Sequence, residues 1–81
     1  MRKYDNSRNT QRARIMCLLK KFQSRTTLDF RAAGILHPAG RIRELRLKGV
    51  NIATYWSNET DNNSVYHRVA RYFLIKDAAV N

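Results

Sequence analysis

Pro38-Ala39-Gly40-Arg41-Ile42-Arg43-Glu44-Leu45-Arg46-Leu47-Lys48-Gly49 carries both ends of a short helix and little apolar surface between them. Proline is tolerated at a first helical position because that N–H has no intrahelical partner, and its fixed φ already suits the helix. Gly49 supplies the left-handed residue that commonly ends one. The stretch therefore predicts a helix over 38–48 with Ala39, Ile42 and Leu45 turned inward. Arg41, Arg43, Arg46 and Lys48 crowd into little more than two turns. That charge density packs poorly and suits a polyanion, so function is sought first on this helix.

Upstream, Ile15, Leu18, Leu19 and Phe22 recur at i, i+3, i+4 and i+7. This is the spacing of one buried helical face and predicts a helix over 11–22, capped by Asn9 or Thr10. Thr27 is placed to cap a second helix over 28–33, which Gly34 ends, and Ile35 and Leu36 anchor the turn that follows. Downstream of Gly49, residues 50–56 are β-branched and aromatic, 57–63 are polar turn formers, and 69–75 make a return strand. The predicted fold is α+β, mainly α with a C-terminal two-stranded β-hairpin. Residues 1–9 read as a flexible basic arm, 10–76 as the folded domain and 77–81 as a tail.

At 81 residues the chain holds one domain, with a core too small to enclose a large substrate pocket as well as its own packing. Its 16 Lys and Arg against 6 Asp and Glu give a formal charge of +10, which calls for an acidic partner. Nucleic acid is the first such partner and an anionic membrane the second. No apolar run approaches the roughly 20 residues that span a bilayer, and residues 1–8 lack the apolar segment of a secretion signal. A cytoplasmic location without membrane attachment is expected. Cys17 is the single cysteine, on the side of the first helix opposite Ile15 and Phe22, so no internal disulfide forms and no resolving thiol supports a redox switch. No Cys and His spacing suits a metal, no Ser, His and Asp spacing suits a catalytic triad, and no cofactor is expected.

Three short helices, a tight turn before the third, and a hairpin with a long polar loop resemble the winged helix-turn-helix DNA-binding domains. Thr26-Thr27-Leu28, Gly34-Ile35, Arg41-Ile42-Arg43-Glu44-Leu45-Arg46 with Gly49 and Ile52, and Val69-Ala70-Arg71-Tyr72 with Leu74 are similar to the small phage and prophage members. The resemblance covers about residues 10–76. It implies a third helix in the major groove, a second helix and turn braced on the sugar-phosphate, and a hairpin wing on an adjacent groove or on the backbone.

Residue by residue, the resemblance implies that His37, Gly40, Arg41, Arg43, Glu44, Leu47 and Lys48 lie on the flanks or outer side of the third helix. Arg41 and Arg43 are the favoured contacts, either to guanine O6 and N7 or to phosphate, and their spacing leaves both open. Gly40 lets the backbone approach the groove, and Arg46 packs its stem while its guanidinium reaches an edge. Thr26 and Thr27 start the second helix, where free amides suit a phosphate and a side-chain cap equally. In the wing, Asn58, Asn62, Asn63, Ser64, His67 and Arg68 offer polar contacts, whereas Glu59 and Asp61 repel phosphate. More of the binding is therefore expected from the third helix and from Arg2, Lys3 and Arg8 of the arm.

The functional expectation is a non-enzymatic, sequence-preferring double-stranded DNA-binding protein, either a phage or prophage transcriptional regulator or an excisionase-like recombination accessory factor. Alternatives are an interaction protein that uses the same fold to bind a host protein, and a small basic RNA-binding protein. A lack of exposed stacking aromatics counts against RNA, since Tyr55 and Trp56 are expected to close the core. On the return strand Ala70, Tyr72 and Leu74 face inward, which leaves Phe73 and Ile75 on the other side. These two are the candidate surface for a homodimer or cooperative assembly on DNA.

Overall fold

The computed structural model describes residues 7–75. Its elements are α1 (Arg8–Phe22), β1 (Ser24–Thr26), α2 (Thr27–Ala32), α3 (Pro38–Leu47), β2 (Ile52–Thr60) and β3 (Tyr66–Leu74). Ser7, rather than Asn9 or Thr10, caps α1: its Oγ accepts from the Thr10 N–H at 3.2 Å. Arg8 and Asn9 thus belong to the helix, and residues 1–6 of the expected arm and the expected tail lie outside the described residues. Ile15 and Leu19 are fully buried, but Phe22, expected on the same face, is 43% exposed. The Arg25 guanidinium covers one side of its ring, 3.7 Å from the centroid.

The sheet has three strands rather than two, in the order β1-β3-β2 and antiparallel throughout. Ser24, Arg25 and Thr26 pair with Phe73, Tyr72 and Arg71, so the short polar segment expected between helices is an edge strand. Its last residue, Thr26, one position before the expected cap, is the N-cap of α2. The Thr26 hydroxyl accepts from the Asp29 N–H at 3.1 Å, and the Asp29 carboxylate accepts from the Thr26 N–H at 2.9 Å. This reciprocal capping box satisfies two otherwise free donors and joins sheet to helix at one residue.

α2 and α3 end by the same device. Gly34 at φ 92° and Gly49 at φ 96° turn the chain through a conformation that side chains disfavour. Each is followed by an apolar residue whose N–H returns to the helix: Ile35 to Phe30 O and Val50 to Leu45 O, both at 3.0 Å. The pattern is the Schellman motif, in which the residue after the glycine packs on the last turn. Phe30, Ile35, Leu45 and Val50 accordingly meet in the core with Ile15, Leu19, Ile42, Ile52, Ala70 and Tyr72. The Phe30 and Tyr72 rings lie 6.0 Å apart between α2 and the sheet.

Leu36, expected to anchor the turn, is exposed, so Ile35 does so alone. β2 runs to Thr60, four residues beyond the expected strand end, which shortens the hairpin loop to residues 61–65. Asp61 organises that loop: its Oδ1 accepts from the N–H groups of Asn63 at 2.8 Å and Val65 at 3.1 Å. An Asp able to replace backbone partners in this way explains why a polar run closes as a tight turn.

Two substitutions test this architecture by urea denaturation. Thr26→Ala removes the α2 cap and should lower stability by about 1 kcal/mol. Ile42→Ala empties a site that is 1% exposed and should lower it by about 2–5 kcal/mol. An Ile42→Ala loss no larger than that of Thr26→Ala would contradict the central placement of Ile42.

Candidate nucleic-acid interface

α3 buries Pro38, Arg41, Ile42 and Leu45. Pro38, Ile42 and Leu45 stand at i, i+4 and i+7, a true helical face, so the inward side is turned from the one expected and Ala39 lies outside. Arg41, expected as an outer contact, is only 9% exposed. Its Nη2 donates to Glu44 Oε2 at 2.8 Å, while Arg12 of α1 donates to Glu44 Oε1. Glu44 thereby clamps α1 to α3. Burial alone pushes its carboxyl upward, but the Arg12 and Arg41 hydrogen bonds together outweigh it and hold the group below its ordinary 4.5.

The outward side belongs to Ala39, Arg43 and Leu47, all exposed, with half-buried Gly40 on its flank. A Cβ built at Gly40 would meet nothing within 4 Å, so the space above it is open. His37 and Lys48 are exposed at the two ends of the helix. Arg46 is turned toward the sheet. Its Nε and Nη2 donate to the Ile52 carbonyl at 3.0 and 2.8 Å, and Nη2 also reaches Thr54 Oγ1 at 2.6 Å.

The hairpin register sorts its side chains between two faces. Ile52 and Thr54 pair with Leu74 and Tyr72 on the helix side, and the same alternation carries Trp56, Asn58 and Thr60, opposite Ala70, Arg68 and Tyr66, beyond the helices. Trp56 and Tyr55 are 62% and 59% exposed, so neither closes the core. The Arg68 guanidinium lies over the Trp56 ring, 5.3 Å from its centroid. Thr27, Leu28 and Arg31 of α2, Ala39 of α3, and Trp56, His67 and Arg68 of the hairpin line one shallow groove of about 350 Å³. Arg43 lies one turn beyond Ala39 on the same side of α3.

The acidic residues of the wing do not oppose this surface freely. Glu59 points to the other face, where Oε2 accepts from Arg71 Nη2 at 2.9 Å and from the Ser57 hydroxyl at 3.0 Å. The Arg71 bond, followed by that of Ser57, holds Glu59 below its usual range. Asp61 Oδ2 lies 2.8 Å from His67 Nε2, and this bond, with those to the loop amides, lowers its pKa too. Asp29 completes the set, in the α2 cap and 3.5 Å from Arg25. All four carboxylates among the described residues are therefore held by cationic or backbone partners, while no ion pair engages Arg31, Arg43, Lys48 or Arg68.

Of the remaining candidates, Thr26 is buried with its hydroxyl committed to the cap, and Thr27 is half-buried at the groove. Asn62, Asn63 and Ser64 are exposed in the loop, and Arg8 is exposed in the first turn of α1. Arg2 and Lys3 lie outside the described residues. Arg31 and Trp56 are contributors that sequence reading did not place at the site; the parity of Trp56 with Ile52 and Thr54 is the signal that locates it. Among the described residues no cluster of three metal-binding side chains occurs, and no helix is long and apolar enough to cross a membrane.

An outward helix, a braced second helix and a basic, aromatic hairpin face make up the DNA-binding winged helix-turn-helix architecture. Residues 10–77 match the family model described as a winged helix-turn-helix domain, and the chain belongs to that family. It is a DNA-binding domain in general kind. No curated protein and no solved structure matches it.

The clamps predict a response to acid. Glu44, Glu59 and Asp61 have folded pKa values below their ordinary 4.5, 4.5 and 3.8, so between the two values the unfolded chain binds more protons. Their stabilisation is present above the ordinary values and disappears as pH falls through the folded ones. Thermal melts from pH 6 down to about 2 should show Tm falling below about pH 4.5, and Glu44→Gln should flatten that fall. An unchanged profile in Glu44→Gln would remove Glu44 from the account.

Proposed function

We propose that the protein binds double-stranded DNA with sequence preference, laying the outward face of α3 in the major groove and the Trp56–Arg68 face of the hairpin against flanking backbone. One observation supports this reading: every described carboxylate is internally held, while Arg31 and Arg68, which line one groove, and Arg43, one turn beyond Ala39 on α3, have no carboxylate partner among the described residues. Arg43 is the base contact, bidentate to guanine, while Arg41 and Arg12 hold α3 against α1 through Glu44. Thr27, Arg31, His37, Lys48 and Arg68 meet phosphate, with Gly40 leaving room for close approach and Arg8 adding charge from α1. Asn62 and Asn63 at the loop tip lie within reach of the same strand.

The biological role in this reading is control by occupancy, as a small phage or prophage transcriptional regulator or recombination accessory factor in the bacterial cytoplasm. Basic side chains displace condensed counterions, and a few α3 contacts add preference. Cooperative loading of copies on DNA is assigned to the sheet face where Phe73, half-buried beneath the edge of Tyr55 at 5.1 Å, adjoins exposed Ile75. Sedimentation on duplexes of increasing length reads this directly; a single copy on every length would refute it. One observation also favours RNA: Trp56 and Tyr66 are exposed after all and can stack on unpaired bases. Competition between duplex DNA, structured RNA and heparin separates the two nucleic acids, and preferential capture by RNA would overturn the duplex reading.

Selection from a random duplex pool should enrich one motif. With about five phosphates neutralised, log affinity should fall with log salt at a slope of about −4 to −5. Arg43→Ala should cost about 1–3 kcal/mol and relax preference at one base pair, whereas Arg41→Ala should chiefly lower the melting temperature. Gly40→Ala should raise stability by about 0.5–1 kcal/mol, since the position is helical and open, yet weaken DNA binding. A salt-independent affinity, or full site preference in Arg43→Ala, would refute the assignment.

A further inference from the structure

Around Arg43 the outward side of α3 is apolar rather than basic. Ala39, Arg43 and Leu47 stand at i, i+4 and i+8, so they form one ridge about 12 Å long at 1.5 Å per residue. Leu47 is 76% exposed, and Leu36, in the turn before the helix, is 64% exposed. The inward seam of α3 is already filled by Pro38, Ile42 and Leu45, so these two leucines are surplus to the core. Large aliphatic groups bare at both ends of a short helix point to a surface that covers them.

Electrostatics selects that surface. Along the chain the leucines flank Arg43, whose guanidinium has no carboxylate partner among the described residues, on a chain of formal charge +10, and the partner must therefore be anionic at its rim yet offer apolar groups within. The DNA major groove has this combination: phosphates line it, and the C5-methyl of thymine is the apolar group on its floor. Gly40, beside the ridge, leaves the space that base edges need for close approach. From these positions we infer that Leu36 and Leu47 read thymine methyl groups on either side of the base pair met by Arg43. Leu47 stands about 6 Å along the helix from Arg43, under two base-pair steps at about 3.4 Å each, so the preferred site carries a thymine within about two steps of the guanine on the Leu47 side and another on the Leu36 side.

This inference rests on the proposed DNA-binding role of the same helix, and the test keeps the two apart. The enriched duplex is remade with deoxyuridine in place of thymidine, one position at a time, which removes the methyl and leaves pairing and the O4 acceptor intact. The protein should lose about fourfold in affinity for each methyl it buries. Leu36→Ala and Leu47→Ala should each abolish the uridine penalty at one position and retain it at the other. Both positions are exposed, so melting temperatures should not change, and the salt slope should stay at the wild-type value because no phosphate contact is lost. Equal affinity for thymidine and uridine duplexes in a protein that still selects its site overturns the methyl reading alone. The same holds for a uridine penalty undiminished in both leucine variants. Failure to bind any duplex overturns the DNA-binding role and this inference with it.

Discussion

The rotation of α3 about its own axis governs the rest of the surface, and burial of Pro38, Ile42 and Leu45 sets it. A helix of ten residues has few positions to divide between core and solvent, so a turn of one residue spacing exchanges which arginines are presented. With this seam inward, Arg41 is drawn beneath the helix and Arg43 stands at the middle of the exposed side. Phe30 of α2 and Ile35 of the turn fix the same orientation, since the two Schellman ends place their apolar residues in one core. The face that α3 presents is therefore a by-product of packing: what points outward is whatever the core leaves over.

Charge is handled on the same principle of sorting. A chain this basic repels itself, and the four described acids are placed where they do structural service. Glu44 ties α1 to α3 through two arginines, Asp29 closes the cap of α2, Glu59 holds Arg71 on the far face of the hairpin, and Asp61 folds the loop. The strand alternation is what separates Glu59 from Arg68 and Trp56. A hairpin with two acids near its tip is thus compatible with a basic face toward the helices.

Much of this was legible in the residues. The three helices, the proline start and the two glycine stops follow from local chemistry, as does the hairpin. The errors have physical causes. An inward face of Ala39, Ile42 and Leu45 uses steps of three alone, which drift around a helix, whereas counting Pro38 as apolar restores the i, i+4, i+7 face and predicts the burial of Arg41. β1 escaped because three polar residues carry no alternation and acquire strand form from pairing with β3. The acids looked repulsive in the wing because their partners, Arg71 and His67, lie 12 and 6 residues away and are brought near only by the register. Ser57 to Thr60 read as a turn because polar strand residues and turn residues share a composition.

The strand order has a consequence for how the protein comes into being. β3 lies in the middle of the sheet, between β1 and β2, yet it follows both of them along the chain. During synthesis the helices and two of the three strands emerge first, with nothing between β1 and β2 to join them. The hairpin and the sheet are completed together when residues 66–74 appear, and with them the Tyr72 wall against which Phe30 packs. A nascent chain would thus hold α3 and its arginines well before the scaffold that aims them, and would acquire its binding surface in one late, concerted step.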